Sequence, residues 1–335
     1  MQSPRVIDSL TEAFDVMIDM LFKPFDMGKW CVLGLVFFLA GLTQDLSQLM
    51  QIPFQFAEVL AVPVAEDPES FVVPAVIGGI VFFVVMIVAA VISSIGKFVI
   101  YENIQNEEPG VSGRWGKHTS KGISFFLLKL GIGVIMVIFV TLLLLIGAMA
   151  MGVSFSDPSS FSETMFQERI GLFFLLILVF GLVFVGLSIF LGMILTFVPI
   201  IMYIRNCGAG AALSEFMGLF LAKPGSFMLY ILMSWLVAMG ASIVVQIGVL
   251  VTCCLGALPY VRSTLFLPVL MTLELYPVSF IGQILPEYDI ILTRFRGNVI
   301  SEAHPDSFSG ENGSDYEESS TDNPDDQGYR KSWDD

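Results

Sequence analysis

Charge is what this sequence lacks most. Of its 335 residues only 14% are Asp, Glu, Lys or Arg, too few to cover the surface of a soluble domain of this length. Histidine is scarce as well, with two in the chain, and the four cysteines, Cys31, Cys207, Cys253 and Cys254, form no CxxC pair. A zinc site has little to be built from, and the cysteines read as small packing residues rather than a disulfide framework. Basic charge is outnumbered, sixteen Lys plus Arg against thirty-one Asp plus Glu, which argues against a nucleic-acid partner. No Ser-His-Asp set, paired catalytic carboxylates or cofactor motif is visible, so nothing supports an enzyme and no cofactor is expected. A secretory signal peptide is not expected either, because no basic start leads into an uninterrupted apolar core.

What the sequence has is apolar length. Hydrophobic residues make up 55% of the chain, with 30 Phe and 17 Met. The fold class this predicts is all-α integral membrane, a six-transmembrane-helix bundle. Spans are expected at about 28–46, 72–100, 125–151, 170–204, 227–253 and 258–281, within a membrane domain at 28–292. The fourth is longer than the roughly 20 residues a bilayer requires, so it must tilt, bend near Gly192 and Pro199, or extend past the lipid. Residues 1–27 form an amphipathic helix and a turn. Val6, Leu10, Ala13, Phe14, Met17 and Leu21 fall on one side of it, and Asp8, Glu12, Asp15 and Asp19 on the other. That helix lies at the interface or, given its acidic face, packs on its own bundle. Residues 293–335 are polar and acidic, with eleven Asp or Glu from Ser301 onward, and are expected to be a disordered tail open to protein partners.

Basic residues sort to one side of this arrangement. Arg5, Lys23 and Lys29 precede the first span. Lys97, Arg114, Lys117, Lys121 and Lys129 surround the second connection, Arg205 and Lys223 the fourth, and Arg294, Arg296, Arg330 and Lys331 follow the sixth. Of the sixteen, only Arg169 and Arg262 fall elsewhere. The positive-inside rule then places both termini in the cytoplasm of a multi-pass inner-membrane protein, with the bilayer as its first partner.

A repeated step precedes the spans. AFDVMIDMLFKPFDMGKWCVLGL (Ala13 to Leu35) and AALSEFMGLFLAKPGSFMLYILMSWL (Ala211 to Leu236) both run through an amphipathic stretch to Lys-Pro, an aromatic residue and an apolar run. Proline ends the first helix and lysine holds the head-group level, so Lys23, Pro24, Lys223 and Pro224 read as structural parts of a membrane doorway. Ser112 to Val134 is a weaker third copy without proline. Three units of amphipathic helix plus membrane hairpin would account for the chain.

These segments, together with the closing FLPVLMTLELYPVSFIGQILPEYD, resemble the bacterial membrane families related to the membrane domain of glycerophosphodiester phosphodiesterase. The resemblance implies a six-span bundle with short cytoplasmic helices and no agreed activity. The catalytic barrel that accompanies that domain elsewhere is absent from this chain, so its hydrolysis does not carry over.

Two groups of residues are candidates for function. GVSGRWGKHTSKG (Gly110 to Gly122) fails as a phosphate loop, because Val111 stands at the required glycine and His118 at the required Ser or Thr. Its Arg114, Lys117 and Lys121 remain as topology-setting charge or as contacts to anionic lipid or phosphate. Arg262 and Glu274 lie inside the sixth span, where ionisable groups default to function. Twelve residues apart, about 18 Å on a continuous helix, they cannot pair with each other. Two functional readings follow: a non-enzymatic membrane component that binds protein partners or lipids, or a small transporter with its path near the irregular sixth span. Small residues at Ala89 and Ser93, and at Ser234, Ala238 and Ser242, mark close helix crossings.

Overall fold

The computed structural model describes residues 6–55, 68–106, 109–150, 163–252, 256, 258–284 and 292. The chain divides into two units, Met1–Arg294 and Phe295–Asp335, and every described residue belongs to the first. The expected acidic tail lies outside the described residues.

Among those residues the fold is all-helical, in nine helices: α1 (Val6–Phe22), α2 (Met27–Gln55), α3 (Pro68–Asn106), α4 (Arg114–Ala150), α5 (Glu163–Arg205), α6 (Ala209–Ala222), α7 (Pro224–Val251), α8 (Pro259–Leu265) and α9 (Leu267–Ile284). Six contain stretches long and apolar enough to cross a bilayer: Met27–Ser47, Val76–Asn106, Arg114–Ala150, Phe174–Arg205, Pro224–Val251 and Leu267–Ile284. Helices satisfy their own backbone groups, which is why lipid selects them. Exposed apolar side chains, among them Phe83 on α3, Val137 on α4, Leu182 on α5 and Trp235 on α7, give these helices a surface suited to hydrocarbon. This is a multi-pass membrane protein.

The packed core gathers where the end of α3, the start of α4, the end of α5, α6 and the start of α7 meet. Phe98, Phe125, Phe197, Phe216, Phe227 and Phe280 are all fully buried. Phe197 meets Phe227 edge-on at 5.3 Å and Tyr230 at 5.0 Å, while Tyr230 lies 4.7 Å from Phe280 and stacks on Tyr276 at 5.0 Å. Such aromatic pairs add about 0.5–1.5 kcal/mol each beyond burial. Helix α9 is the most enclosed of the long helices, touching α1, α2, α5, α7 and α8.

Helix α1 packs along α9, with Val6, Ser9, Ala13, Val16, Met17, Met20 and Leu21 buried. Its acidic face is used rather than shed, since the Ser279 hydroxyl of α9 donates to the Glu12 carboxylate. The buried stripe is rotated from the one expected, and Phe14 is exposed. After α1 the chain turns through Lys23 and Pro24. The Asp26 carboxylate then accepts the Gly28 amide at 2.7 Å, and Trp30 donates its indole N–H to the Leu21 carbonyl at 3.0 Å. Phe22 and Phe25 flank that indole at 5.7 and 5.6 Å. Lys223 and Pro224 build the second doorway differently: Lys223 joins α6 directly to α7, and Pro224 is the first residue of α7, where its missing N–H costs nothing. At the third place α4 runs unbroken from Arg114, since no proline interrupts 112–134.

The two irregular spans differ in shape. The long fourth span is one continuous helix, α5, with Pro199 inside it. The sixth is broken. Phe266 separates α8 from α9, and Pro268, second in α9, has no N–H to offer the Thr264 carbonyl. Of the two small-residue rows, that on α3 makes a crossing, with Ser93 donating to the Ala40 carbonyl at 2.5 Å and Ala89 buried. The row on α7 does not, because Ala238 and Ser242 are exposed.

Candidate functional site

Two glycines set the position of α2. A Cβ on Gly96 would stand 2.9 Å from the Ala40 backbone, and one on Gly34 would stand 2.4 Å from the Thr264 hydroxyl and 3.0 Å from its Cα. Only without side chains at 34 and 96 can α2 lie this close to α8 and α3. The α8–α9 break then faces α2 across a cavity of about 210 Å³, lined by Ala40, Gln44 and Asp45 from α2, Ile100 from α3, Arg262 from α8 and Glu274 from α9.

Charges of opposite sign are paired around this space. The Arg262 guanidinium lies 3.7 Å from the Asp45 carboxylate. Lys97 of α3 reaches both Glu274 oxygens at 3.0 Å. None of these four side chains is more than a third exposed. Arg262 and Glu274 do not pair with each other, as expected, but the premise of a continuous helix is wrong: the break brings both to one cavity. Thr43, next to the lining Gln44, ends in a buried hydroxyl with no partner among the described residues.

A further lysine stands beside this group. Lys129 of α4 donates to the Ser94 hydroxyl at 3.2 Å and sits 4.5 Å over the Phe125 ring. Ser94 is one turn before Lys97 on α3, so both ammonium groups address the same helix.

The sequence-predicted basic patch lies at the α3–α4 turn. Buried Glu102 takes Lys117 at 2.7 Å on one oxygen and His118 Nε2 at 2.6 Å on the other. Arg114 donates to the Asn103 side-chain oxygen, which also accepts the Gly110 amide at 3.0 Å. Lys121 lies 5.5 Å over the Tyr203 ring. Arg114 and Lys117 thus clasp the turn through groups of α3, and Lys121 reaches across to α5. His118 Nδ1 and Asn103 Nδ2 are buried with no partner among the described residues. Among those residues, no group of three or more His, Cys, Asp or Glu could hold a metal ion.

With the geometry in place, the chain can be set against known proteins. It belongs to DUF7544, a family of unknown function, whose profile matches residues 5–291. No curated protein and no solved structure matches it. Membership of DUF7544 fits the expectation of an uncharacterised family. It gives no support to the resemblance to the glycerophosphodiester phosphodiesterase membrane domain.

Sequence reasoning found Arg262 and Glu274 but missed their partners. Asp45 read as the polar end of the first span, and Lys97 and Lys129 as topology charges. A usable signal was present: each lysine stands alone in an apolar run, VISSIGKFVI and FFLLKLGIG. Lys23, Pro24 and Lys223 lie in connections between helices and Pro224 opens α7, all of them outside the cavity lining.

Proposed function

We propose that this protein binds a small charged solute at the α8–α9 break and passes it across the membrane without chemical change. One observation carries the reading: two ion pairs, Arg262–Asp45 and Lys97–Glu274, converge on one cavity at a discontinuous helix. Withdrawing four charges into an apolar bundle costs several kcal/mol per ion, and apolar residues of similar volume would hold the helices at least as well. Irregular backbone at membrane depth is tolerated where it lines a cavity, and broken helices position solutes in this way. The reading is of an inner-membrane protein with cytoplasmic termini, which the basic-residue distribution supports. The alternative, a membrane component acting on protein partners through its acidic tail, draws on 293–335 and leaves the charged cavity without a purpose.

The test is purified protein in proteoliposomes, screened for solute-induced currents over amino acids, organic acids, inorganic anions and quaternary amines. A current lost in Arg262→Ala and Asp45→Asn, and kept in a chain ending at Arg296, is the expected result. Absence of current and of solute binding across the panel, with function lost on tail removal, would transfer the role to the tail.

A further inference from the structure

We infer that the solute is an anion, held by Lys97 and Lys129 at the place where Glu274 now serves as counter-ion. This rests on the reading of the cavity as a solute site and adds the sign of the charge it takes.

The argument is one of charge balance. Around the α3 segment from Ser94 to Lys97 there are two ammonium groups and one carboxylate. Glu274 gives both its oxygens to Lys97. Lys129 has a hydroxyl and an aromatic face but, among the described residues, no carboxylate within ion-pair distance, and it shares the field of the one carboxylate, Glu274, with Lys97. An ammonium carries three N–H donors, and Ser94 takes one of them. The cluster therefore carries one positive charge in excess. At these half-buried positions in an apolar bundle that excess is costly until an anion joins it. An incoming carboxylate or phosphate oxygen would meet the free donors of Lys129 and compete with Glu274 for Lys97. Of the three, Glu274 lines the cavity and the two lysines stand outside its lining, so an anion would reach them past the Glu274 carboxylate. The Glu102 cluster makes the contrast: its carboxylate is held by one cation and one imidazole, and the lysine there is two-thirds exposed to water, which balances it without a ligand.

A carboxylate, inorganic phosphate and an anionic lipid head group share this chemistry, and the experiment separates them. The full chain is placed in nanodiscs of neutral phosphatidylcholine, and acetate, inorganic phosphate, choline and glycine betaine are titrated at constant ionic strength. Thermal unfolding and calorimetry are followed. The expected result is that acetate or phosphate binds while choline and betaine do not. Lys129→Gln should weaken that binding at least tenfold, and Lys129→Arg should keep it within about threefold. If free anions do not bind but nanodiscs with phosphatidylglycerol stabilise the wild type and not Lys129→Gln, the anion is a lipid head group and the inference stands. Binding of choline or betaine alone would overturn the anion while leaving the solute site intact. Anion binding equal in wild type and Lys129→Gln would also overturn it. If no solute and no lipid charge has any effect, the solute site itself fails. Should Lys129→Gln not fold, the charge preference of the wild type decides alone.

Discussion

Lys97 on α3 and Glu274 on α9, 177 residues apart in the chain, meet through both carboxylate oxygens at 3.0 Å. The contact ties the end of the chain's membrane part to its second long helix, and it borders the charged cavity. Each side chain is about a quarter exposed, so the pair is stronger than a surface bridge and weaker than a fully buried one.

Breaking this pair from one side should cost more than removing it whole. Glu274→Gln and Lys97→Met should each destabilise the protein by about 1–3 kcal/mol, because the partner charge is left behind. The double variant should regain at least half of the summed loss, as read by reversible unfolding in nanodiscs. Simple additivity of the two losses would mean that the residues do not interact.

Pro268 should matter more for function than for stability. Pro268→Ala restores an N–H that can donate to Thr264 and lets α8 and α9 join. The unfolding midpoint should hold or rise by a few degrees, since Ala is favoured over Pro in helices. Solute-induced current should fall, because the cavity depends on the break. An unchanged current would separate the break from the path.

Gly96 controls the distance between α2 and α3. Gly96→Val puts a branched side chain where even a Cβ lies 2.9 Å from the Ala40 backbone. Overpacking of this kind costs about 1–3 kcal/mol. The larger effect should be on solute binding, lost as Asp45 moves away from Arg262. Gly210→Val, on α6 where a Cβ meets nothing within 4 Å, serves as the control and should leave binding intact.

At the α3–α4 turn the two basic neighbours of Glu102 should behave differently. Lys117 is two-thirds exposed, so Lys117→Ala should cost under about 1 kcal/mol. His118 is buried against Glu102, and His118→Ala should cost about 2–4 kcal/mol by leaving a cavity and a carboxylate with one partner fewer. Equal losses would show that Glu102 is held by water rather than by the imidazole.

Topology can be checked without function. A single cysteine introduced at Ala61, between α2 and α3 in the sequence, should be labelled by a membrane-impermeant maleimide in intact cells, in a chain with its four native cysteines replaced. One introduced at Ser112 should be labelled only after the membrane is opened. The reverse pattern would invert the orientation that the positive-inside rule assigns.

Much of this protein was written in its composition. Six apolar runs, separated by polar connections, become six long helices because in lipid the backbone has no other partner than itself. The Lys-Pro steps fell at helix boundaries, whereas Pro199 lies inside α5, so proline marks a boundary only where its neighbours allow one. The identity of two cavity residues was legible as well: Arg262 and Glu274 stood out because charge is expensive in an apolar run. The turn of the buried face on α1 was not legible, because both faces of that helix offer apolar residues and only contact with α9 chooses between them. Nor was Asp45 assigned to the cavity, or Lys97 to the Glu274 carboxylate at its wall, for their partners come from distant parts of the chain. Local sequence fixes a helix and its length by short-range hydrogen bonds. Which charges meet is decided by the close approach at Gly34 and Gly96 and by the break at Phe266, and those act only once the helices are packed together.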